Sequence, residues 1–308
     1  DTAVTVRVDV GSAVSVASAA ALDVEFFVNG SLFRSVGATS RLSVKSTLAV
    51  VSPSSVYTAT EGRLVYVADQ GFGVQSCSMG RTHSCAVMIG GLLLCWGDSS
   101  NGKLGSATGA RTPSLPVSGF ADPVVLVSAG AAHTCVVTAK RDALCMGNNR
   151  YGQLGDGTLT SSSKPVRVQG GYRWLQLHAS QYSTCGVTTA GAVYCWGRDE
   201  RGQSGSGSIV TSTRPIPNAV VTLSSGFRSV ACASWTCCAL RVNGQLWCWG
   251  DASNGELGQG TTDGSGVPLK VSLPGGVESN FTSVSAGYSH FCAISTSFQV
   301  WCWGANEA

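Results

Sequence analysis

Thirteen cysteines stand in a chain of 308 residues, and ten of them form pairs separated by ten positions: Cys85/Cys95, Cys135/Cys145, Cys185/Cys195, Cys238/Cys248 and Cys292/Cys302. Sulfur at so regular a spacing has two chemistries, disulfide formation and metal ligation. Ten is even, so if each pair flanks a tight turn between antiparallel strands the two side chains share a face. A directly opposed, non-hydrogen-bonded pair then brings the Cα atoms to about 4.5 Å, within disulfide reach. The ten are therefore expected to be disulfide residues, paired alike within each repeat. Zinc sites favour close spacings such as Cys-x2-Cys, whereas each unit here offers two sulfurs a hairpin apart, so no metal site is expected. Cys77, Cys232 and Cys237 are an odd remainder. A Cys232–Cys237 bridge, or one from Cys77 to either, leaves one thiol buried or joined to another chain.

His83, His133 and His290 each precede a repeat cysteine by two. A residue type recurring once per repeat sits at equivalent positions spread through the structure, so these are read as framework groups bonded to neighbouring backbone, with Ser183 and Thr236 as hydroxyl replacements. His178 stands outside that pattern and receives no role. The turns Asp98–Gly102 and Asp251–Gly255 resemble calcium loops, but their glycine comes one position early and no glutamate stands at the twelfth, so they read as β-turns. There is no Gly-x-Ser-x-Gly elbow, phosphate-binding Gly-Lys-Ser/Thr loop, His-Glu-x-x-His or dinucleotide fingerprint. No catalytic, cofactor-binding or metal residue is assigned, no cofactor is implied, and the chain is read as a non-enzyme. Trp96, Trp196, Trp249 and Trp303, with Met146 substituting once, are read as packing between repeats. Ligand stacking would fall to Trp174, Trp235, Trp247 or Trp301, of which Trp235 is the most unusual.

The elements that must position these residues form a repeat. The first cysteines recur at intervals of 50, 50, 53 and 54 residues, the length of a propeller blade. Gly80-Arg-Thr-His-Ser-Cys85, Gly130-Ala-Ala-His-Thr-Cys135 and Gly287-Tyr-Ser-His-Phe-Cys292 open the units. Leu94-Cys-Trp-Gly97, Tyr194-Cys-Trp-Gly197, Trp247-Cys-Trp-Gly250 and Trp301-Cys-Trp-Gly304 end a second strand. Glycine turns follow, at Gly102-Lys-Leu-Gly105, Gly152-Gln-Leu-Gly155, Gly202-Gln-Ser-Gly205 and Gly255-Glu-Leu-Gly258, and proline loops at Lys164-Pro165 and Arg214-Pro215 lead to the next β run. Over roughly residues 72 to 308 this pattern resembles the repeat of the regulator of chromosome condensation family, whose members fold as seven-bladed β-propellers. The cysteines depart from the nuclear archetype and are similar to the extracellular, disulfide-containing type of the crinkly-type plant receptor kinase ectodomains.

Residues 1–71 lack cysteine but alternate as strands, with Val4, Val6, Val8 and Val10 against Thr5, Arg7 and Asp9. Two degenerate hairpins, Asp23–Gly30 leading to Leu32 and Ser55–Gly62 leading to Leu64, phase onto the repeat with Val24 and Val56 at the first cysteine position and Arg34 and Tyr66 at the second. The expected fold is therefore all-β, a seven-bladed propeller with five clear repeats and two degenerate N-terminal blades. The alternative is a small β-sandwich over residues 1–71 before a five-repeat portion over 72–308. The last repeat stops at Trp303-Gly304, so either the polypeptide runs on or the Val4–Val10 strand completes that blade, and both place the termini near one another.

A charged content of 12% with 44% hydrophobic residues argues against disorder. The net charge of +3 with scattered arginines argues against nucleic acid as a partner. The most apolar stretch, Val14–Leu22, is too short to span a bilayer. Disulfides imply an oxidising compartment, extracellular or at the cell surface, and Asn29-Gly-Ser31 and Asn280-Phe-Thr282 are candidate glycosylation acceptors. The expected function is a recognition or structural scaffold with a protein or glycan partner, or a homo-oligomer or filament. The alternatives are a monomeric secreted binder or enzyme inhibitor, and guanine nucleotide exchange on a small GTPase, which a disulfide-bearing compartment opposes.

Overall fold

The computed structural model describes residues 4–8, 24–28, 31–35, 73–105, 116–209, 213–272 and 280–306. The chain divides into two units, Asp1–Gln70 and Gly71–Ala308. In the first, β1 (Val4–Val8), β2 (Val24–Val28) and β3 (Ser31–Ser35) form an antiparallel sheet in that order. β1 therefore finds a partner in β2, inside its own unit. The β2–β3 register sets Val24 opposite Ser35 and Glu25 opposite Arg34. This corrects the phasing that placed Arg34 across from Val24: only two residues separate the paired Val28 and Ser31, whereas the blade hairpin pairing Val87 with Leu93 has five between. The second degenerate hairpin, Ser55–Leu64, lies outside the described residues.

The Gly71–Ala308 unit is an all-β, five-bladed propeller portion. The first blade holds β4 (Val74–Met79), β5 (His83–Met88) and β6 (Leu93–Gly97). The second holds β7 (Val124–Ala129), β8 (His133–Thr138), β9 (Ala143–Gly147) and β10 (Ser162–Arg167). The third holds β11 (Trp174–Ala179), β12 (Ser183–Thr188), β13 (Val193–Arg198) and β14 (Thr213–Ala219). The fourth holds β15 (Phe227–Cys232), β16 (Thr236–Arg241), β17 (Leu246–Gly250) and β18 (Ser265–Lys270), and the fifth β19 (Phe281–Ala286), β20 (His290–Ser295) and β21 (Val300–Gly304). Within each blade the strands run antiparallel, and the first strands of successive blades touch. Among the described residues no helix is long and apolar enough to cross a membrane.

The prolines take a different place from the one read in the sequence. Pro165, Pro215, Pro217 and Pro268 sit in β10, β14 and β18, the outer strand of their blades, not in loops. Proline has no N–H to give a ladder, so it is confined to an edge strand or a bulge, and each of these strands carries a register shift against its neighbour.

The middle strands of the second, third and fourth blades are flanked by a blade on each side, and β8 and β12 are buried at every position. The cores accordingly lie between blades: Cys185, Val187 and Val193 pack with Phe227, Val230, Cys237 and Trp249 of the next blade. Polar groups tie the boundaries of the second blade with the first and the third. His83 Nε2 lies 2.7 Å from Thr134 Oγ1, and His133 Nε2 2.8 Å from Thr184 Oγ1. Each threonine hydroxyl donates to a backbone carbonyl, Lys103 O or Gln153 O, so the histidine N–H must be the donor to the threonine, which fixes the Nε2–H tautomer. Those carbonyls belong to the glycine turns, and the tryptophan series uses the same anchor: Trp196, Trp249 and Trp303 donate Nε1–H to Gln153 O, Gln203 O and Glu256 O of the preceding blade.

This contact explains the second glycine of the Gly-x-Leu-Gly turn. Gly155 has φ 72°, and a β-carbon there would stand 2.7 Å from Trp196 Nε1. Only glycine offers both the conformation and the clearance.

Candidate functional site

The ten-spaced cysteines are directly opposed across the second and third strands of their blades, and their sulfurs are bonded as Cys85–Cys95, Cys135–Cys145, Cys185–Cys195, Cys238–Cys248 and Cys292–Cys302. Their Cα atoms stand 4.0 to 4.1 Å apart, closer than the spacing expected for an unbonded pair. The pairings are the expected ones, and what differs is the surroundings of the third-strand cysteines. Cys95, Cys145 and Cys248 are buried in cores shared with the next blade, beside Met146, Trp196 and Phe291 respectively. Cys302, by contrast, is exposed and its partner Cys292 half-buried, since no strand among the described residues follows β21 to cover them. Nor do Cys95, Cys145, Cys248 and Cys302 enter a ligand cluster: the one group of cysteines whose sulfurs converge between blades is Cys185, Cys232 and Cys237, among the described residues. Cys232 and Cys237 form a sixth bridge, and Cys77 is an exposed free thiol. Asn280 is exposed immediately before β19, and Asn29 lies outside the described residues.

His83 and His133 are framework groups, with a partner different from the expected backbone: the hydroxyl of the next blade described above. Burial pushes His83 down to about 4 and His133 to about 3 from an ordinary 6.5, and the Lys103 ammonium adds to the effect on His83. His290, in the fifth blade, is exposed. His178 does belong to the repeat, contrary to the sequence reading. Ser78 and Ser128 Oγ accept from the Ala129 and Ala179 amides of the following blade, and His178 Nδ1 accepts from the Cys232 amide at 3.2 Å. All three stand seven residues before a first cysteine. The aspartate turns hold side chains of their own: Asp98 pairs with the buried Lys103 Nζ at 2.6 Å, which keeps its carboxyl well below the usual carboxylate range, and Asp251 accepts from Ser253 Oγ.

Antiparallel connectivity puts the turn between a blade's first two strands and the turn after its third strand at the same end of the propeller. There, four loops from three blades converge on one guanidinium. Arg198, at the end of β13, lies 4.4 Å from the Trp235 ring centroid, 4.8 Å from that of Tyr151 and 5.8 Å from that of Tyr182. Its Nη2 bonds the Glu200 carboxylate, which holds that carboxyl below its ordinary value, while its buried Nε has no partner among the described residues. Tyr151 and Tyr182 pack at 5.3 Å with rings tilted by 57°. Arg150 and Arg201 are exposed beside the cluster, and Arg201 reaches Asp251 at 3.4 Å. Arginine over aromatic faces is a cation–π arrangement, and Trp, Tyr and Arg are the residues that dominate protein interfaces.

Of the four tryptophans open to ligand stacking, only Trp235 enters this surface; Trp174 is buried against Trp196 at 5.4 Å, and Trp247 and Trp301 pack against hydrophobic cores. Sequence reasoning missed Arg198, Tyr151 and Tyr182. Their signal was available as departures from the repeat, since Asp98 and Asp251 occupy the Arg198 position and Thr82 and Ala132 the Tyr182 position in other blades.

The regulator of chromosome condensation (RCC1) repeat matches residues 90–137, 142–187, 190–240 and 243–294, and a second description of that repeat matches five stretches from 74–103 to 281–308. The RCC1 domain-containing protein RUG3, mitochondrial, of Arabidopsis thaliana is 36% identical over 89 residues, 29% of this chain and 20% of that protein. Human WBSCR16 superposes with a TM-score of 0.68 at 24% identity, covering 76% of this chain and 62% of that one. Yeast RCC1 (Prp20), in a crystal structure bound to Kap60, gives 0.65 at 20% identity over 76% and 57%. This chain thus spans less than two thirds of each. Crinkly-type receptor ectodomains superpose less closely, at TM-scores of 0.47 and 0.46. Its repeats, matched by both descriptions along most of the Gly71–Ala308 unit, place the chain in the regulator of chromosome condensation (RCC1) repeat family.

Proposed function

We propose that the propeller is a protein-recognition scaffold of an oxidising, extracellular or cell-surface setting, and that the loop end around Arg198 and Trp235 takes an acidic element of its partner. The observation that carries the reading is the aromatic enclosure of Arg198, whose Nε has no partner among the described residues, at a surface flanked by exposed Arg150 and Arg201. A carboxylate there would complete the guanidinium's bonds in a partly desolvated place, where charge-assisted bonds are strong. Rigid blades carrying variable loops suit such a role, and yeast RCC1 is seen bound to another protein, Kap60. The bridged cysteines support the oxidising setting.

Affinity capture with the oxidised chain should retain a partner that the Arg198→Ala/Trp235→Ala double variant loses by 100-fold or more, about the effect of two hot-spot truncations. Val242→Ala, on the exposed turn between β16 and β17 at the other end, should leave capture unchanged. Equal capture by the double variant overturns the assignment, and a captured glycan in place of a protein corrects the partner class.

A second reading is self-association into an oligomer or filament. It rests on exposed Ile294, Phe298 and Val300 of the fifth blade, the last two 87% and 66% accessible. Sedimentation at high concentration should then show species larger than a monomer that Phe298→Ser/Val300→Ser dissociates. A strictly monomeric wild type removes this reading and leaves the first intact.

A further inference from the structure

From the second blade on, the residue just before the repeat's first cysteine faces the blade before it. Thr184 occupies that position in the third blade, where its Oγ1 lies 3.9 Å from Cys135 Sγ of the second. In the fourth blade the same position is Cys237, so that sulfur meets sulfur: Cys237 Sγ stands 3.4 Å from Cys185 Sγ. The sulfurs of Cys185, Cys232 and Cys237 all lie within 4.8 Å of one another, and the three residues are buried. Yet each is already bonded elsewhere, Cys185 to Cys195 and Cys237 to Cys232. Two intra-blade bridges thus touch across the boundary between blades three and four, the one boundary at which a cysteine replaces the threonine.

We propose that these four cysteines are a thiol–disulfide exchange site, with an alternative Cys185–Cys237 bridge that joins the third blade covalently to the fourth. Exchange requires a thiolate to attack a disulfide sulfur and a second thiolate to leave. When a small dithiol reductant opens Cys232–Cys237, it gives up two electrons and two protons and becomes a disulfide itself. The Cys237 thiolate then attacks Cys185 Sγ. The Cys185–Cys195 bond breaks, its electron pair leaves on Cys195 Sγ, and that sulfur takes the proton that Cys237 lost. The products are one Cys185–Cys237 bridge and thiols at Cys195 and Cys232. The second step is redox-neutral, so a single two-electron reduction exchanges two bridges within blades for one between them. The Cys232–Cys237 pair, which lies outside the ten-residue spacing, acquires a purpose as the exchange partner of the framework bridge.

Single variants test this without added reductant. In Cys232→Ser the freed Cys237 thiol should attack Cys185, and non-reducing peptide mapping should find the Cys185–Cys237 link together with alkylatable Cys195. The linked fraction should build up faster at pH 8.5 than at pH 7, since the thiolate is the nucleophile. Should that variant not fold, Cys195→Ser frees Cys185 to attack Cys237 and must yield the same link with Cys232 released. The further change Cys237→Ser in either background must abolish it. Retention of Cys185–Cys195 with a persistently free Cys237 in the first variant, and of Cys232–Cys237 with a free Cys185 in the second, overturns the proposal.

Discussion

Full reduction is expected to unfold the Gly71–Ala308 unit at neutral pH and ordinary temperature. Closing a ten-residue loop removes denatured-chain entropy equivalent to about 2.7 kcal/mol in the chain-entropy model, so the five blade bridges together amount to something on the order of 10 kcal/mol. That is comparable with the whole net stability of a domain. Each bridge also lies at the centre of a blade, with Cys85, Cys135, Cys185 and Cys238 wholly buried and only Cys292–Cys302 open to solvent. The other reduced thiols would therefore remain in the core without a covalent tie. The Cys135→Ser/Cys145→Ser variant isolates one bridge. Its denaturant midpoint should fall by the equivalent of 2 to 3 kcal/mol, about the value of one loop, plus any penalty for two buried hydroxyls. A reduced protein that melts where the oxidised protein does would remove the bridges from the stability account, and with them the argument for an oxidising compartment.

Acid should destabilise the same unit well before its carboxylates titrate. His83 and His133 are buried as neutral rings, with pKa values near 4 and 3, while in the unfolded chain each returns to about 6.5. Below pH 6.5 the unfolded chain therefore binds protons that the folded one refuses, and stability falls as pH falls, down to the folded values. At pH 5 each ring is about 1.5 units below its unfolded pKa, which is about 2 kcal/mol apiece. The loss should be complete for His83 near pH 4 and continue for His133 toward pH 3. Replacing His133 by Ala should cost about 2 kcal/mol at pH 7, because Thr184 Oγ1 loses its donor and a cavity opens. The same change should flatten the pH dependence between 6.5 and 4 by one proton and leave partner binding at the Arg198 end unaltered. Equal slopes for variant and wild type would place the acid sensitivity elsewhere.

The blade hairpins were legible in the sequence because their determinants are local. An even spacing and a fixed turn put Cys185 opposite Cys195 whatever surrounds them, and Cys95, Cys145, Cys248 and Cys302 opposite their own partners likewise. What the neighbouring blade supplies was not legible. Spacing makes Cys302 look like Cys145, although one faces solvent and the other a core. The hydroxyl that completes His133 is 51 positions away, and the carbonyl that receives the Trp196 N–H is 43 away, so the repeat revealed that these residues matter without revealing to whom. His178 escaped notice because serine holds its position in two other blades, and the shared property, an acceptor for the next blade's amide, does not register as residue identity. The recognition surface was half legible for the opposite reason. Trp235 broke the repeat visibly, but Arg198, Tyr151 and Tyr182 come from separate loops whose meeting only the curvature of the blade stack determines. The prolines were misplaced because a loop and an edge strand both tolerate a missing N–H, and sequence cannot separate the two.

The tryptophan bonds between blades all point one way along the chain. The glycine turn of one blade holds a carbonyl open until a tryptophan made some 45 residues later reaches it, as Trp196 does for Gln153 and Trp249 for Gln203. Each blade is therefore the template against which its successor sets, and is itself completed only when that successor arrives. On a ribosome, such a molecule assembles vectorially, every newly emerged blade curing the one before it, and a folding fault is confined to the boundary where synthesis has just passed.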